Sequence, residues 1–166
     1  MNAENLRALQ APLKELYRTD PTAATITLHA EGAIDAGVSC SIDTGRALVK
    51  AGLHPATGGS GALACSGDML LHALVACAGV TMAAVATAIG IELRDATMTA
   101  EGDIDVRGTL GLSKETPVGF TSITMKARLD TDATDEQIAT LMKLTERYCV
   151  VLQSLRVVPT MVVERM

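Results

Sequence analysis

Four cysteines, at positions 40, 65, 77 and 149, offer the most reactive chemistry in this chain. Their gaps of 25, 12 and 72 residues contain no Cys-x-x-Cys pair, which argues against a zinc site. The three histidines, His29, His54 and His72, do not fall at metal-ligand spacing, so no metal is expected. His54 precedes a proline in a Gly-rich stretch, where it could act as a base or simply shape a turn. His72 lies five positions before Cys77, about 140° around an ideal helix, so the two do not share a face. No G-x-S-x-G elbow is present for serine catalysis. The run Gly58-Gly59-Ser60-Gly61 lacks the spacing and the lysine of a phosphate-binding loop. What remains is thiol chemistry at Cys77 or Cys149. On the residues alone, both read first as small core hydrophobes. The reactive reading needs a nearby cation to favour the thiolate, and Arg46 and Arg147 are the candidates.

Composition narrows the partners. The chain has 166 residues, a length for one domain spanning 1–166. Hydrophobic residues at 48% and charged residues at 20% exclude intrinsic disorder. Fourteen Lys+Arg against nineteen Asp+Glu give a net charge of -5, the wrong sign for a nucleic-acid binder. Tyr17, Phe120 and Tyr148 are the aromatics, too few for a stacking platform. The N-terminal residues carry charges and no apolar h-region, so they do not read as a signal peptide. A cytoplasmic location with reduced thiols is therefore expected.

The apolar periodicity sets out the elements that must carry these thiols. Leu6, Leu9, Leu13 and Leu16/Tyr17 predict a helical arm over 1–20, with Pro12 kinking or shortening it. Period-two alternation over 25–31 and 38–42 predicts a hairpin turning at GAIDAG, with His29 on the solvated side and Cys40 in the core. A short strand is expected around RALVK (46–50), followed by an irregular Gly-rich connection to residue 67. Residues 69–91 carry no formal charge and are long enough to span a bilayer. Their many Ala and Gly residues and the lack of flanking Lys/Arg favour instead a buried central helix over 68–90. Ser66 is the expected N-cap, Asp68 suits the first turn, and Gly90 suits the end.

Strands are expected over Met98–Val106 and Ser122–Leu129, with turn signals at GTLG and KETPVG between them. Glu101, Asp103 and Asp105 read as a solvated sheet face rather than a cation site. TDEQ at 134–137 fits a capping box that opens a helix to about Arg147. Ile138, Leu141, Met142 and Thr145 form its inner face. A short helical stretch over 148–156 and a closing strand at VVPTMVVE complete one α+β domain.

At GDMLLHALVACAGVTMAAVATAIGI the sequence resembles the central helix of the OsmC/Ohr family of thiol peroxidases, in which P-x-E-L-L-x-A-A-L-A-A-C carries the peroxide-reacting cysteine. EGDIDVRGTLG, VGFTSITMKARLD and LTERYCVV resemble the strands and the second-cysteine helix that follow, so the similarity covers roughly residues 22–164. The resemblance implies an intertwined homodimer, with antiparallel sheets wrapped around two long central helices. It also implies reduction of an organic hydroperoxide without cofactor or metal. Cys77 would be the attacking cysteine and Cys149 the resolving one, with an external dithiol reductant reopening their disulfide. Arg46 matches the family's orienting arginine, and Asp68 stands as a shorter residue near the place of its glutamate. Ala78 replaces the family's phenylalanine, the proline opening the helix is absent, and Cys65 is an additional thiol. The competing expectation is a non-catalytic dimer that binds a small apolar ligand between subunits. No membrane or nucleic-acid partner is expected.

Overall fold

The computed structural model describes residues 3–35, 39–42 and 51–166. Helix α1 (Ala3–Thr19) leads through a 3-10 turn at Pro21–Ala24 into β1 (Thr25–Asp35) and β2 (Ser39–Ile42). Short strands β3 (Ala51–Gly52) and β4 (Ala64–Cys65) flank a second 3-10 turn at Pro55–Thr57. Helix α2 (Ser66–Ile89) follows, then β5 (Asp95–Asp105), α3 (Val106–Thr109), β6 (Phe120–Asp130), α4 (Asp135–Tyr148), α5 (Val150–Ser154) and β7 (Thr160–Arg165). The main sheet has the order β2-β1-β5-β6-β7.

The β5–β6 pair is where the period-two pattern is most faithfully realised. Ala96, Met98 and Ala100 on β5, and Ile123, Met125, Ala127 and Leu129 on β6, all point inward and are buried. They meet Leu71, Leu74, Val75, Ala78, Met82, Val85 and Ala86 of α2 in one continuous core. The small residues Ala78, Gly79, Ala83 and Ala86 on the buried side of α2 let the helix lie close to the sheet. Gly90 ends α2 in the left-handed conformation at φ 72°, as its position predicts.

Helix α4 covers the rest of this layer. Thr134 caps it, its hydroxyl accepting from the Gln137 N–H at 3.3 Å while the Thr134 N–H donates to Gln137 Oε1 at 2.8 Å. Ile138, Leu141, Met142 and Thr145 are all buried, the four inner residues that the sequence pattern selects. A smaller cluster of Tyr17, Ala24, Val106 and Leu110 docks α1 on the far end. There the Tyr17 hydroxyl donates to the Ala56 carbonyl at 2.8 Å, tying α1 to the segment ahead of α2.

Several expectations need correction. The main sheet is mixed, because β7 runs parallel to β6, and β3 and β4 form a separate parallel two-stranded sheet. Chain from 131 to 159, holding α4 and α5, gives β7 the long crossover that a parallel partner needs. The expected hairpin forms, with β1 antiparallel to β2, but the turn does not take up the whole of GAIDAG. β1 continues to Asp35, because its ladder to β5 extends to Ala33 and its ladder to β2 begins at Gly32. α1 agrees with the expected arm over 1–20, and Pro12 does not shorten it: the helix runs to Thr19. GTLG is not a plain turn, because the Asp105 carboxylate accepts the Arg107 N–H and starts α3. Cys65, not Ser66, is the N-cap of α2, and it makes no side-chain capping bond. The expected strand at 46–50 and the side chains of His29 and Cys40 lie outside the described residues. The implied second chain is not part of this structure.

Candidate functional site

Cys77 sits at the middle of α2, half-buried, on the edge of the main core. Cys149 lies 72 positions later and is fully buried. It occupies the junction of α4 and α5, ending the first helix and capping the second. The Leu152 N–H donates to Cys149 Sγ at 3.5 Å, which fixes the sulfur at the start of α5. Because α4 and α5 both pack on α2, this junction is brought against Cys77. The two sulfurs are close enough to perturb each other's ionisation. Both are free thiols.

Their surroundings separate their acidities. Burial opposes ionisation of Cys77, but the neighbouring Val151 N–H, Cys149 thiol, Val150 N–H and Thr81 hydroxyl favour its charged form. Together they hold the Cys77 thiol below its ordinary value. Burial pushes the Cys149 thiol up to about 11, and the adjacent Cys77 sulfur adds to the rise. The pair thus divides into a thiolate former and a proton-bearing neighbour. Val150 and Val151 contribute N–H groups of the kind left without intrahelical partners where a helix begins.

The remaining candidates are placed differently. Asp68 lies in the first turn of α2, nine residues before Cys77. At 1.5 Å and 100° per residue, that is about 13 Å along the axis and on the opposite face, so this chain does not bring the two together. Cys65 precedes the helix by one residue and is about 18 Å from Cys77 along the same axis. Arg46 lies outside the described residues. Arg147 stacks its guanidinium 5.5 Å from the centroid of the exposed Tyr148 ring and is not among the groups acting on Cys77.

His54 is a turn former: its Nδ1 accepts from the Ala56 N–H at 3.0 Å and caps the 3-10 turn. The acidic strand is also accounted for in part by local bonds. The Asp103 carboxylate accepts from Thr27 and Ser122, and Asp105 pairs with Arg107. No cluster of metal-ligating side chains occurs among the described residues.

Sequence reasoning missed Thr81 and the Val150 and Val151 peptide groups. Thr81 was accessible in principle, because a residue four positions after a helical cysteine stands over the same face. The peptide groups were not, since their relation to Cys77 exists only after α5 docks.

A family described as OsmC-like protein matches residues 59–164. No curated protein sequence matches the chain. Among solved structures, an OsmC-like protein from Mycoplasma pneumoniae superposes with a TM-score of 0.60 at 14% identity, covering 86% of this chain and 95% of that one. An OsmC-like hydroperoxide resistance protein from Jannaschia gives 0.55 at 15% identity, covering 79% and 86%. An organic hydroperoxide resistance protein from Legionella pneumophila gives 0.53 at 16% identity, covering 85% and 95%. These likenesses share the mixed sheet and the long central helix described above.

Proposed function

Given that the chain belongs to the OsmC-like protein family, which includes hydroperoxide-resistance proteins, we propose that it reduces organic hydroperoxides with Cys77 as nucleophile and Cys149 as resolving thiol. The observation that carries this reading is the packing of the Cys149 junction on the helix that holds Cys77, with one thiol lowered from its ordinary pKa and the other raised to about 11. The Cys77 thiolate attacks the distal oxygen of ROOH. The O–O bond breaks, the sulfur becomes a sulfenic acid, and the alkoxide leaves as ROH after protonation. Cys149, still protonated at neutral pH, then condenses with Cys77–SOH. An S–S bond forms and one water leaves. An external dithiol reopens the disulfide and is itself oxidised. Arg46 enters as a further member of the site, to orient the thiolate; Asp68, on the opposite face of α2, has no place beside Cys77 within one chain.

Hydroperoxide chemistry is tested by mixing the reduced protein with cumene hydroperoxide and reading the free thiols. Two thiols, mapped to Cys77 and Cys149, should disappear together for each peroxide consumed. Thiols that stay reduced at neutral pH overturn the peroxidase reading and leave a binding role for the family fold.

The proposal includes a homodimer built on α2. Leu70, Ala73, Val80 and Ala84 share the Cys77 face of the helix by 3.6-residue periodicity and are exposed. Leu70 and Val80 each keep 38% of their surface accessible in the single chain. A contiguous apolar face of this kind is a marker of protein association. Light scattering should give twice the 17.3 kDa chain mass, and Val80→Asp should reduce it to one chain. A wild-type protein of single-chain mass at micromolar concentration contradicts the dimer.

A further inference from the structure

Helix α5 is five residues long, far shorter than a helix that holds on its own in water. Local bonds and one apolar anchor keep it wound. The Leu152 N–H donates to Cys149 Sγ at 3.5 Å, so the sulfur is the side-chain cap of the first turn. The Gln153 N–H donates to the Cys149 carbonyl at 2.9 Å, and Gln153 Nε2 donates to the Glu146 carbonyl at 2.8 Å. Leu152 is buried in the main core, and Val151 packs against the same cluster. The outer side is open: Val150 is 71% exposed, and Gln153 and Ser154 face solvent. α5 is thus a thin cover beside Cys149, which is itself completely buried.

Both ends of this cover are soft. Cys149, with ψ 105°, and Leu155, with ψ 137°, are extended, so α5 continues neither into α4 nor beyond residue 154 as a helix. Cys77 instead stands in a 24-residue helix packed on the sheet. Both thiols are free, and a disulfide requires their sulfurs to approach to about 2.05 Å. When that bond forms, the five-residue helix gives way before the long one does.

We propose that α5 is a redox-sensitive cover, wound and capped by the Cys149 sulfur in the reduced protein and released when Cys149 joins Cys77. The S–S bond forms as the two thiols give up two electrons and two protons to the hydroperoxide, which leaves as ROH and water. The sulfur that turns to Cys77 leaves the Leu152 N–H without its acceptor. A lost cap weighs most in a helix of little more than one turn. Release of α5 uncovers the disulfide to the external dithiol that must attack it. Reduction returns the sulfur to the Leu152 N–H, and the cover rewinds. The inference rests on the Cys77–Cys149 pairing of the proposed function and adds to it how the reductant gains entry.

The test follows amide hydrogen exchange of the full chain by mass spectrometry at pH 7. Diamide oxidises the reduced protein, its azo group taking two electrons and two protons from the two thiols to become a hydrazine, and peptide mapping identifies the bond formed. With Cys77 and Cys149 joined, the amides of 152–155 should exchange roughly tenfold faster than in the reduced protein, while those of α2 change less than about twofold. In the reduced state, Cys149→Ala deletes the cap without any disulfide and should speed exchange of the same amides roughly twofold to thirtyfold. Cys149→Ser supplies a hydroxyl cap and should stay close to reduced wild type, with and without diamide.

A Cys77–Cys149 disulfide that leaves these amides as protected as before overturns the proposal. So does a Cys149→Ala variant as protected as Cys149→Ser, because the sulfur is then not the cap. Failure of diamide to join the two cysteines overturns it too, together with the resolving role of Cys149. Cumene hydroperoxide is run alongside. If it leaves the thiols reduced while diamide joins them and releases α5, the peroxidase reading fails and the redox-sensitive cover stands.

Discussion

Cys149→Ser is expected to stop turnover after one equivalent of hydroperoxide, with Cys77 trapped as a sulfenic acid that dimedone labels. Cys77→Ser is expected to abolish consumption, by at least about a thousandfold, because a hydroxyl cannot replace the thiolate at neutral pH. The difference between the variants follows from the two environments. The Cys77 thiol is half-buried, and its neighbours lower its pKa. The Cys149 sulfur is fully buried and raised to about 11, so it lacks both access and charge for the first step. In wild type, the rate of the first step should rise with pH as Cys77 ionises. Its midpoint should lie below 9.0, the ordinary thiol value, because the folded environment lowers this pKa. Cys149, raised to about 11, stays protonated across that range. A Cys149→Ser variant that turns over many equivalents without an added thiol removes the resolving role. A first-step midpoint above 9.0 contradicts the electrostatics of the site.

Much of the scaffold was legible because local patterns and tertiary demands agree. Met98, Ala100, Met125, Ala127 and Leu129 alternate in sequence and are buried in the sheet. Thr134 and Gln137 announce the capping box and form it. Ile138, Leu141 and Thr145 repeat at helical spacing and face the core. Strand direction was less legible. Nothing in TMVVER tells parallel from antiparallel pairing; the crossover through α4 and α5 decides it.

The hairpin of β1 and β2 was legible, though β1 runs on to Asp35 into the stretch that reads as a turn, because β1 is paired on both sides there. The helical arm was legible too, running through Pro12 without being shortened. The sulfur pair is an intermediate case. Periodicity puts Cys77 in a helix and Cys149 beside another, but only the docking of the α4–α5 junction makes them neighbours. The partition of their acidities depends on peptide groups at Val150 and Val151, which carry no side-chain signature at all.

Because that junction is carried by α4, the core beneath α4 should govern both stability and resolution. Leu141 is completely buried in the main cluster, and α4 packs against α2 through this side. Leu141→Ala removes three heavy atoms from a site enclosed by helix and sheet, at a cost of about 2–5 kcal/mol. For a domain of this size, that corresponds to a melting temperature lower by roughly 5–20 °C. Leu141→Met, which nearly conserves volume, should cost less than about 1.5 kcal/mol.

The same cavity lies two turns before Cys149, and the Thr145 hydroxyl beside it is committed to the Leu141 carbonyl at 2.8 Å. Loosening this turn leaves Cys77 on its own helix but lets Cys149 wander from it. Well below the melting temperature, the alanine variant should therefore form the Cys77–Cys149 disulfide several-fold more slowly. Its first-step reaction with peroxide should remain close to wild type. A melting shift smaller than 2 °C would show that Leu141 is not packed in this core. A large shift with unchanged disulfide kinetics would show instead that α5, through its own contacts with α2, fixes Cys149 without help from α4.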